Sequence, residues 1–401
     1  MRVAGFVGNL VPYHHARWSA FADLGTAECS VIEQTNRDEF PVLEVEARSQ
    51  RSYRRITLFE ARDKSRLNVR KVRALTQRAL SELRPDVVCL SGYATPLSLA
   101  AMSWCASARV PMVICSESNE FDEPRQPWRE AVKRRLVRLC AAGLAGGTPQ
   151  AEYLARLGLP SERVFKGYDV VDNRHFEDQA AEARKQQTEI RQKYSLPERY
   201  FLASARFTEK KNLPRLLQAH ALYRAQGAER GAPSDLVLLG DGPLRAQLTA
   251  LRSELGSEHC VHFAGARAYE ALPGFYGLAN AFVHASTTEQ WGLVVNEAMA
   301  CGLPLLVSNR CGCAPDLVHE GQNGFTFDPC DIGALAERMT RISAPEFPLS
   351  EFGSASREII SHWTPRTFAE NLSQAVEAAL GVPSRRANVF DRALFWGLLR
   401  G

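Results

Sequence analysis

Short apolar runs recur along the chain, and longer stretches between them repeat their apolar residues with a helical period. The stretch from Asn68 shows that period, with Val69, Val72, Leu75, Ala79 and Leu80 on one face. The apolar runs are typical of buried strands, and they cover residues 3–7, 85–91, 111–115, 200–206, 236–239, 261–265 and 281–285. Alternation of such strands with helices predicts an α/β fold with parallel sheets and helices on both faces.

The chain length and composition are those of an ordinary globular protein. With 401 residues, the chain is long enough for two domains that each have a core. Hydrophobic residues make up 45% and charged residues 23%, which is typical of a soluble protein. No apolar run reaches the ~18 residues that a membrane-spanning helix needs. The first apolar run is short, so we expect a strand there and not a signal peptide.

The ten cysteines follow no metal-ligand or disulfide spacing. Cys311 and Cys313 form one C-x-C pair without a second pair, which argues against a zinc site. Most of the others lie in apolar elements, where a free cysteine acts as a small buried hydrophobe. We therefore expect no metal and a reducing compartment, the cytoplasm.

Glu289 lies in the stretch with the richest candidate chemistry. It follows the strand 281–285 and a polar turn, and a helix is predicted from residues 294 to 300, ended by Gly302. This places Glu289 at the carboxyl end of a strand and Glu297 inside the next helix. Open α/β sheets bind their ligands in the crevice at this end.

The start of the predicted helix favours an anion. Gly292, Leu293 and Val294 supply backbone N–H groups at a helix N-terminus, where the dipole also attracts negative charge. Glu289 and Glu297 flank these groups, so the pattern suits a ligand with a phosphate and sugar hydroxyls. The alternative is that both glutamates are ordinary loop and surface residues.

One long motif covers this stretch and continues beyond it. It reads Ser286-x-x-Glu-x-Trp-Gly-Leu-x-x-x-Glu-Ala-Met-Ala-Cys-Gly-Leu-Pro-x-x-x-Ser, followed by Gly312-Cys-Ala-Pro-Asp-Leu-Val and Glu320-Gly-x-Asn-Gly-Phe. It resembles the signature of family-4 retaining glycosyltransferases. The resemblance implies the GT-B fold, with two Rossmann-like domains whose parallel sheets face an inter-domain cleft. It also implies that Glu289 contacts the donor sugar and that Glu297 holds the ribose hydroxyls.

Two basic residues resemble the family's diphosphate-binding pair. Arg206 stands at the end of a strand, and Lys211 follows five residues later before an amphipathic helix. Fixed cations there would stabilise the charge that a departing nucleoside diphosphate gains. The family usually works without a divalent metal, and no convincing Asp-x-Asp motif is present. A UDP-sugar donor is favoured over a GDP-sugar; the alternative is that both residues are surface cations.

Two further loops complete the predicted donor site. Gly240 and Gly242 follow a strand and permit close backbone approach to a ligand. A lone G-x-G is weak evidence, and its position between the other motifs gives it weight. Relatives seat the nucleobase in the loop that corresponds here to residues 266–269, which include Ala266 and Arg267.

The resemblance also gives a domain division. Residues 1–170 form the acceptor-binding domain, residues 171–198 a linker and helix, and residues 199–374 the nucleotide-sugar domain. In this fold the last helix returns to the first domain, which places residues of about 375–401 there. The resemblance covers residues 143–380 well and residues 1–142 loosely.

The loop after the first strand departs from the family pattern. Family members commonly have a glycine pair there, whereas this chain has only Gly8, followed by His14, His15 and Arg17. The departure indicates a polar loop that faces the acceptor instead of a phosphate contact. The alternative is that both histidines are ordinary surface residues.

Glu117 occupies roughly the place of a family histidine near the donor sugar and the acceptor. It lies between two serines just past the strand 111–115. A carboxylate there could orient an acceptor hydroxyl or accept its proton, which makes Glu117 a candidate catalytic residue. The alternatives are that this branch works without the contact, or that the cluster caps the helix before Pro127.

Positive charge is concentrated in the amino half. Residues 1–170 carry 25 Lys and Arg against 19 Asp and Glu, while the net charge of the whole chain is only +4. That total argues against a nucleic-acid partner. The basic segments 48–78 and 128–140 could meet an anionic membrane or an acidic acceptor, or could simply be solvated. The apolar segment 389–399 is expected to pack on the first domain, with peripheral membrane contact as the alternative.

The resemblance implies a retaining glycosyltransferase of the hexosyltransferase type. It would move a sugar from a nucleoside-diphosphate sugar to a hydroxyl of a saccharide or a lipid-linked saccharide, in bacterial polysaccharide or glycan biosynthesis. The candidate catalytic residues are Glu289, Arg206, Lys211 and Glu117. The alternatives are a GT-B nucleotide-sugar epimerase and a catalytically silent nucleotide-sugar-binding protein.

Overall fold

Two sheets of parallel strands form the frame of the protein in its computed structural model, which describes residues 1–36, 52–60, 68–226 and 233–400. The chain divides into two compact units, one made of Met1–Val171 with Trp363–Gly401 and the other of Asp172–His362. The basic residues Arg51, Arg62, Lys64 and Arg66 of the segment 48–78 lie outside the described residues.

The first unit alternates strands and helices. Its strands are β1 (Arg2–Val7), β2 (Glu28–Thr35), β3 (Arg54–Phe59), β4 (Val87–Ser91), β5 (Met112–Ser116), β6 (Ala142–Ala145) and β7 (Val164–Lys166). Its helices before the second unit are α1 (Pro12–Asp23), α2 (Val69–Leu83), α3 (Pro96–Ala108), α4 (Pro127–Val137) and α5 (Thr148–Arg156). A short 3-10 helix, Ser161–Arg163, precedes β7.

The second unit repeats the pattern. Its strands are β8 (Tyr200–Ser204), β9 (Asp235–Leu239), β10 (Val261–Gly265), β11 (Ala281–His284), β12 (Leu305–Ser308) and β13 (Gly324–Phe327). Its helices are α6 (Asn173–Lys185), α7 (Gln187–Tyr194), α8 (Leu213–Gln226), α9 (Arg245–Glu254), α10 (Leu272–Gly277), α11 (Leu293–Ala300), α12 (Ala314–Leu317), α13 (Ile332–Ser343) and α14 (Leu349–Ile360), with 3-10 turns at Glu209–Lys211 and Tyr269–Ala271. The chain then rejoins the first unit as α15 (Pro365–Leu380) and α16 (Val389–Leu398).

The first sheet has the strand order β3-β2-β1-β4-β5-β6-β7, and every pair in it is parallel. Ala4 and Phe6 of β1 enter the core that α2 and α3 cover. Val3 and Val7 enter a second core with residues of α1 and α15. Successive side chains of a strand point to opposite faces, so these two cores show that helices cover both sides of the sheet.

Helix α15 is part of the first unit's core. Phe368 of α15 is fully buried, and its ring packs edge-on against Trp18 of α1 at a centroid distance of 5.8 Å. A Cβ on Gly5 would lie 2.1 Å from the Trp18 indole, so glycine is required where α1 crosses β1. The chain therefore returns to the first unit from Trp363, ahead of the predicted position of about 375.

Residues 172–198, expected as a linker, lie in the second unit. Phe176, Ala180 and Ala183 form the buried face of α6. A Cβ on Gly277 of α10 would lie 2.9 Å from the Ala180 carbonyl oxygen, which shows how closely the two helices pack.

The last helix is buried along one side only. Asp391 and Phe395 of α16 are buried, as is Leu399 just after it, while Trp396 remains exposed. Packing on the first unit thus accounts for part of this apolar segment. In the described part of the chain, no helix is both long enough and apolar enough to cross a bilayer.

The second sheet has the order β10-β9-β8-β11-β12-β13, again with parallel pairs throughout. The chain builds outward from β8 through β9 to β10, then returns to the other side of β8 and continues to β13. The loops after β8 and β11 consequently leave the sheet side by side. The prediction of two α/β domains with parallel sheets is confirmed.

Candidate functional site

The reversal of strand order between β8 and β11 brings two predicted site loops together. Ligands of open α/β sheets bind outside the carboxyl ends of the strands at such a reversal. The backbone N–H of Thr287, after β11, donates to the Lys210 carbonyl, after β8, over 2.9 Å. Glu289 and Lys211 therefore come from distant parts of the sequence but share one edge of the sheet.

Glu289 accepts several polar contacts. The Nζ atom of Lys210 lies 3.1 Å from Oε1 of Glu289, and Nζ of Lys211 contacts Oε2. The Ser286 hydroxyl donates to Oε2 over 3.3 Å. Burial by itself favours the neutral acid, but hydrogen bonding to His284 and the Lys211 charge outweigh it, so the pKa of Glu289 is far below its usual range. Glu289 is an anion held between cations.

His284 belongs to this cluster, although the sequence prediction did not include it. It is the last residue of β11, it is buried, and its Nε2 lies 3.6 Å from Oε2 of Glu289. Burial lowers the pKa of His284 more than the bond to Glu289 raises it, so the imidazole is neutral at neutral pH. A histidine within an apolar run indicates a strand, and only its position at the strand end could have suggested a role.

Glu297 lies one helical turn into α11. The Tyr276 hydroxyl donates to its Oε2 over 2.7 Å. Burial raises the pKa of Glu297 to about 7, and the Tyr276 bond opposes this only in part. The two predicted glutamates thus differ in charge: Glu289 is ionised, whereas Glu297 is partly protonated near neutral pH.

The N-terminus of α11 lies one residue before the predicted start of the helix. The helix begins at Leu293, and Gly292 is the N-cap residue with a φ of +109°, a conformation that favours glycine. A glycine has no side chain to cap the first turn, so the N–H groups of Gly292, Leu293 and Val294 are not satisfied by an N-cap side chain. These groups, like Glu289, follow β11 at the carboxyl edge of the sheet.

Gly240 and Gly242 have a different explanation from the one predicted. A Cβ on Gly240 would lie 2.0 Å from the carbonyl oxygen of Ala205, and one on Gly242 would lie 2.8 Å from the backbone of Phe207. The Phe207 N–H also donates to the Asp241 carbonyl over 2.9 Å. The close approach is between the loops after β8 and β9, so the glycines fix the loop that carries Arg206. Arg206 itself is exposed.

The predicted nucleobase loop adjoins Glu297. The pKa of Tyr269 is raised, mainly by burial and next by the charge of Glu297. Its ring stacks on His175 at 4.5 Å between centroids. The Arg267 guanidinium lies 5.4 Å from the ring centre of Tyr194, while Ala266 is exposed.

In the first unit, Glu117 lies just after β5 and is half-buried. Glu117 hydrogen-bonds to Asp169, and burial together with this neighbouring carboxyl raises the pKa of Asp169 far above its usual range. Arg17 is fully buried, with its guanidinium 3.5 Å from Asp169, and its Nε donates to the Val170 carbonyl over 2.9 Å. Asp169 is a functional candidate that sequence reasoning did not assign, and its pairing with Arg17 was not predicted either.

The expected polar loop after β1 is mostly helix. Pro12 begins α1, because its fixed φ suits the first position of a helix. His14 donates from Nδ1 to the Asn9 carbonyl over 2.8 Å, and burial lowers its pKa to about 3. Arg17 lies on the buried face of α1. The segment that includes Arg17 is therefore a helix, and the prediction of a polar loop there is wrong.

Comparison with known families divides the chain in the same way. Residues 186–358 match the family described as glycosyl transferases group 1, and residues 18–165 match the glycosyl transferase 4-like domain. Both matches agree with the resemblance in the motif around Glu289. Among the residues that the structure describes, no three His, Cys, Asp or Glu side chains are grouped to hold a metal ion.

Individual relatives are distant. The chain is 28% identical to the alpha-D-kanosaminyltransferase of Streptomyces kanamyceticus over 55% of its own length and 56% of that protein. It is 29% identical to the GDP-mannose-dependent alpha-(1-6)-phosphatidylinositol monomannoside mannosyltransferase of Mycobacterium tuberculosis over 70% of this chain and 73% of that one. The chain thus spans little more than half the length of the kanosaminyltransferase.

The fold has clear counterparts among solved structures. The Anabaena protein HepE in complex with UDP and glucose superposes with a TM-score of 0.70 at 19% identity, over 94% of this chain and 100% of that one. This likeness establishes the fold, which is GT-B.

Proposed function

This chain is a GT-B protein of the group 1 and 4-like glycosyltransferase type, and we propose that it transfers a hexose with retention of configuration. The donor is a nucleoside-diphosphate sugar, with a UDP-sugar preferred. The acceptor is a hydroxyl of a saccharide or a lipid-linked saccharide, as in polysaccharide or glycan biosynthesis. One observation carries the proposal: Glu289, Lys211 and the start of α11 meet at the strand-order reversal of the second sheet.

Lys211 is the cation best placed for the diphosphate in this proposal. It is ion-paired to Glu289, and its side chain is only 13% exposed. A diphosphate would compete with Glu289 for Lys211 and leave the Glu289 carboxylate available for sugar hydroxyls. Arg206, on the same loop after β8, and the N–H groups of Gly292–Val294 would stabilise charge on the leaving group.

Glu297 would bind the ribose. A carboxyl group with a pKa of about 7 can accept from a ribose hydroxyl when ionised, and two neighbouring hydroxyl groups would favour that ionised state. Tyr276 already fixes one of its oxygens.

The reaction needs no side-chain nucleophile on this scheme. The acceptor hydroxyl attacks the anomeric carbon from the face that the diphosphate leaves, and its proton passes to the diphosphate. Glu117 would orient the acceptor hydroxyl. Since Arg206, Lys211 and the helix N-terminus carry the positive charge, we propose that no divalent metal is required.

We place the reaction in the cytoplasm, with peripheral contact at a membrane. All ten cysteines are free thiols, and nine of them are buried. Free thiols are stable in a reducing compartment. The phosphatidylinositol-linked acceptor named for the mycobacterial relative is one precedent for a lipid-linked substrate.

Thermal unfolding with UDP, GDP, ADP and their sugars tests the donor site. A nucleotide at ~100 times its Kd should stabilise the wild type by about 2.7 kcal/mol. Glu297→Ala and Arg206→Ala should lose this shift, and added EDTA should leave it unchanged. Arg174→Ala, at an exposed position of the same unit, is the matched control and should keep it.

The identity of the product then shows which reaction the protein catalyses. NMR of the product formed from a stabilising sugar nucleotide should show the anomeric configuration of the donor. A shift without turnover of any donor would favour the silent binder, and a changed sugar still attached to its nucleotide would favour the epimerase. Absence of any nucleotide shift would overturn the donor site.

A further inference from the structure

Exposed apolar side chains are concentrated in α16. Eight large apolar side chains are exposed in the described part of the chain, and four of these belong to that ten-residue helix. They are Val389 (79% exposed), Phe390 (74%), Trp396 (54%) and Leu398 (41%). Clustered exposed apolar residues mark interaction sites, whereas single ones are normal.

The helix that displays them is firmly anchored. Nε of Arg135 in α4 donates to Oδ1 of Asp391 over 2.6 Å, and Nη2 of the same guanidinium donates to Oδ1 of Asn388 over 2.8 Å. Asn388 and Asp391 also cap the helix start reciprocally, with backbone bonds of 2.8 and 3.0 Å. Phe395 is buried in the core of the first unit. These contacts hold α16, and with it the exposed side chains, in one orientation on the first unit.

A basic groove runs between α16 and α2. It has a volume of about 410 Å³ and is lined by Arg70, Arg73, Ala74, Gln77, Trp396, Leu399 and Arg400. The Arg400 guanidinium stacks over the Trp396 indole at 3.1 Å. Among the described residues, no carboxylate forms an ion pair with any of the three arginines that line it.

We propose that Val389, Phe390, Trp396 and Leu398, together with the groove of Arg70, Arg73 and Arg400, dock the protein on an anionic phospholipid bilayer. These residues are called the α16 surface. The inference deepens the proposed function and rests on it, since a lipid-linked acceptor has to be reached at a membrane.

The chemistry of the α16 surface matches a lipid interface. Tryptophan, phenylalanine and leucine enter the boundary between head groups and acyl chains, and arginines pair with lipid phosphates. A helix of ten residues is about 15 Å long, half the thickness of the hydrocarbon core, so α16 would lie in the interface and not cross it.

Other occupants match the surface less well. A symmetric contact with a second copy would place identical patches together, and Arg70, Arg73 and Arg400 would repel their counterparts. A nucleic acid would use the arginines but would leave Val389 and Leu398 in water. An anionic membrane uses both components.

Flotation of the full chain with vesicles tests the inference. The wild type should float with phosphatidylcholine vesicles in which about one third of the lipid is phosphatidylglycerol, and not with pure phosphatidylcholine. The combined variant Arg70→Ala, Arg73→Ala, Arg400→Ala should partition on the order of 100-fold less. The double variant Phe390→Ser, Trp396→Ser should lose at least about 10-fold, because the apolar part of the contact is removed.

A charge-matched control distinguishes an effect of the α16 surface from an effect of the protein's net charge. Arg174→Ala, Lys185→Ala and Lys193→Ala remove the same three charges from exposed positions of the second unit. This variant should float like the wild type. All substituted side chains are exposed or line the open groove, so each variant should keep the thermal stability of the wild type.

Three results would overturn the inference. The first is that the wild type does not bind the anionic vesicles, and the second is that the arginine variant floats as well as the wild type. The third is that the control variant loses as much vesicle binding as the arginine variant. A dimer that dissociates in the Phe390→Ser, Trp396→Ser variant would assign the surface to a second copy instead. Nucleotide binding at the donor site is measured separately, by the nucleotide-induced thermal shift. A wrong donor-site proposal and a wrong docking proposal are therefore distinguishable.

Discussion

At the scale of single residues, Glu297 has the most informative ionisation. Burial raises its pKa to about 7, whereas a glutamate in an unfolded chain titrates near ~4.3. Between these pH values the folded protein keeps a proton that the unfolded chain has released. The stability that this group contributes is therefore fully present below about pH 4, falls as the pH rises, and is lost above about pH 7.

Glu297→Gln should remove this pH dependence. Between pH ~5 and pH ~8, the wild type should lose roughly 2–3 kcal/mol of unfolding free energy relative to the variant. Urea unfolding at several pH values measures the difference. Glu358→Gln, at an exposed position of α14, is the control, and its unfolding free energy should depend on pH as that of the wild type does. Parallel curves for Glu297→Gln as well would show that the carboxyl group ionises normally.

The sequence predicted some site residues because their chemistry is local to a motif. Glu289 and Lys211 follow strands, and adjacency of β11 and β8 brings them into contact. Arg17 and Asp169 could not be predicted in the same way. They are more than 150 residues apart, and their pairing depends on α1 lying against the end of the first sheet. Long-range burial of polar groups leaves no periodic pattern in the sequence.

At the scale of elements, the loops after β8 and β9 are locked together by their backbones. Gly240 has a φ of +130°, and a Cβ there would lie 2.0 Å from a carbonyl oxygen of the neighbouring loop. Other residues disfavour this conformation, and the contact leaves no room for a side chain. The G-x-G pattern correctly predicted a close approach but not its partner, because the sequence does not distinguish a ligand from another loop.

Gly240→Ala should therefore destabilise the second unit by about 3–5 kcal/mol, from backbone strain and steric overlap together. Gly256→Ala is the matched control, since Gly256 has a φ of +61° but open space around it, and it should cost only about 1–2 kcal/mol. Chemical unfolding of both variants measures the two costs. A Gly240→Ala variant that is as stable as the wild type but fails to bind nucleotide would support the ligand role instead.

Helix α2 was predicted from its apolar period, and helix α11 from its position between the strand 281–285 and the stop signal at Gly302. The helix expected from residue 68 is α2, and the helix expected at 294–300 is α11, which begins one residue earlier. Helix α1 was missed because its sequence has few regularly spaced apolar residues and many polar ones. Its buried face includes Arg17, whose guanidinium contacts Asp169, donates to the Val170 carbonyl and lies 4.9 Å from the centre of the Tyr168 ring.

At the scale of the whole molecule, the two units follow one plan. Each has a parallel sheet whose strand order reverses beside its first strand, β1 or β8. Alternation of strands and helices predicted both sheets. Only the resemblance predicted that the chain returns to the first unit, since an amphipathic helix such as α15 does not reveal in its own sequence which core it enters.

Because α15 packs in the core of the first unit, a mutation in α15 is expected to destabilise that unit. Phe368 is fully buried against Trp18, so Phe368→Ala should destabilise the unit of Met1–Val171 with Trp363–Gly401 by about 3–5 kcal/mol. Pulse proteolysis with mass spectrometry should show cleavage in residues 1–171 at lower urea, while the nucleotide-induced shift of the Asp172–His362 unit persists. Phe325→Ala, a buried phenylalanine of the second unit, is the counterpart and should have the opposite pattern. If Phe368→Ala instead exposed the second unit to cleavage first, α15 would not stabilise the unit into whose core it packs.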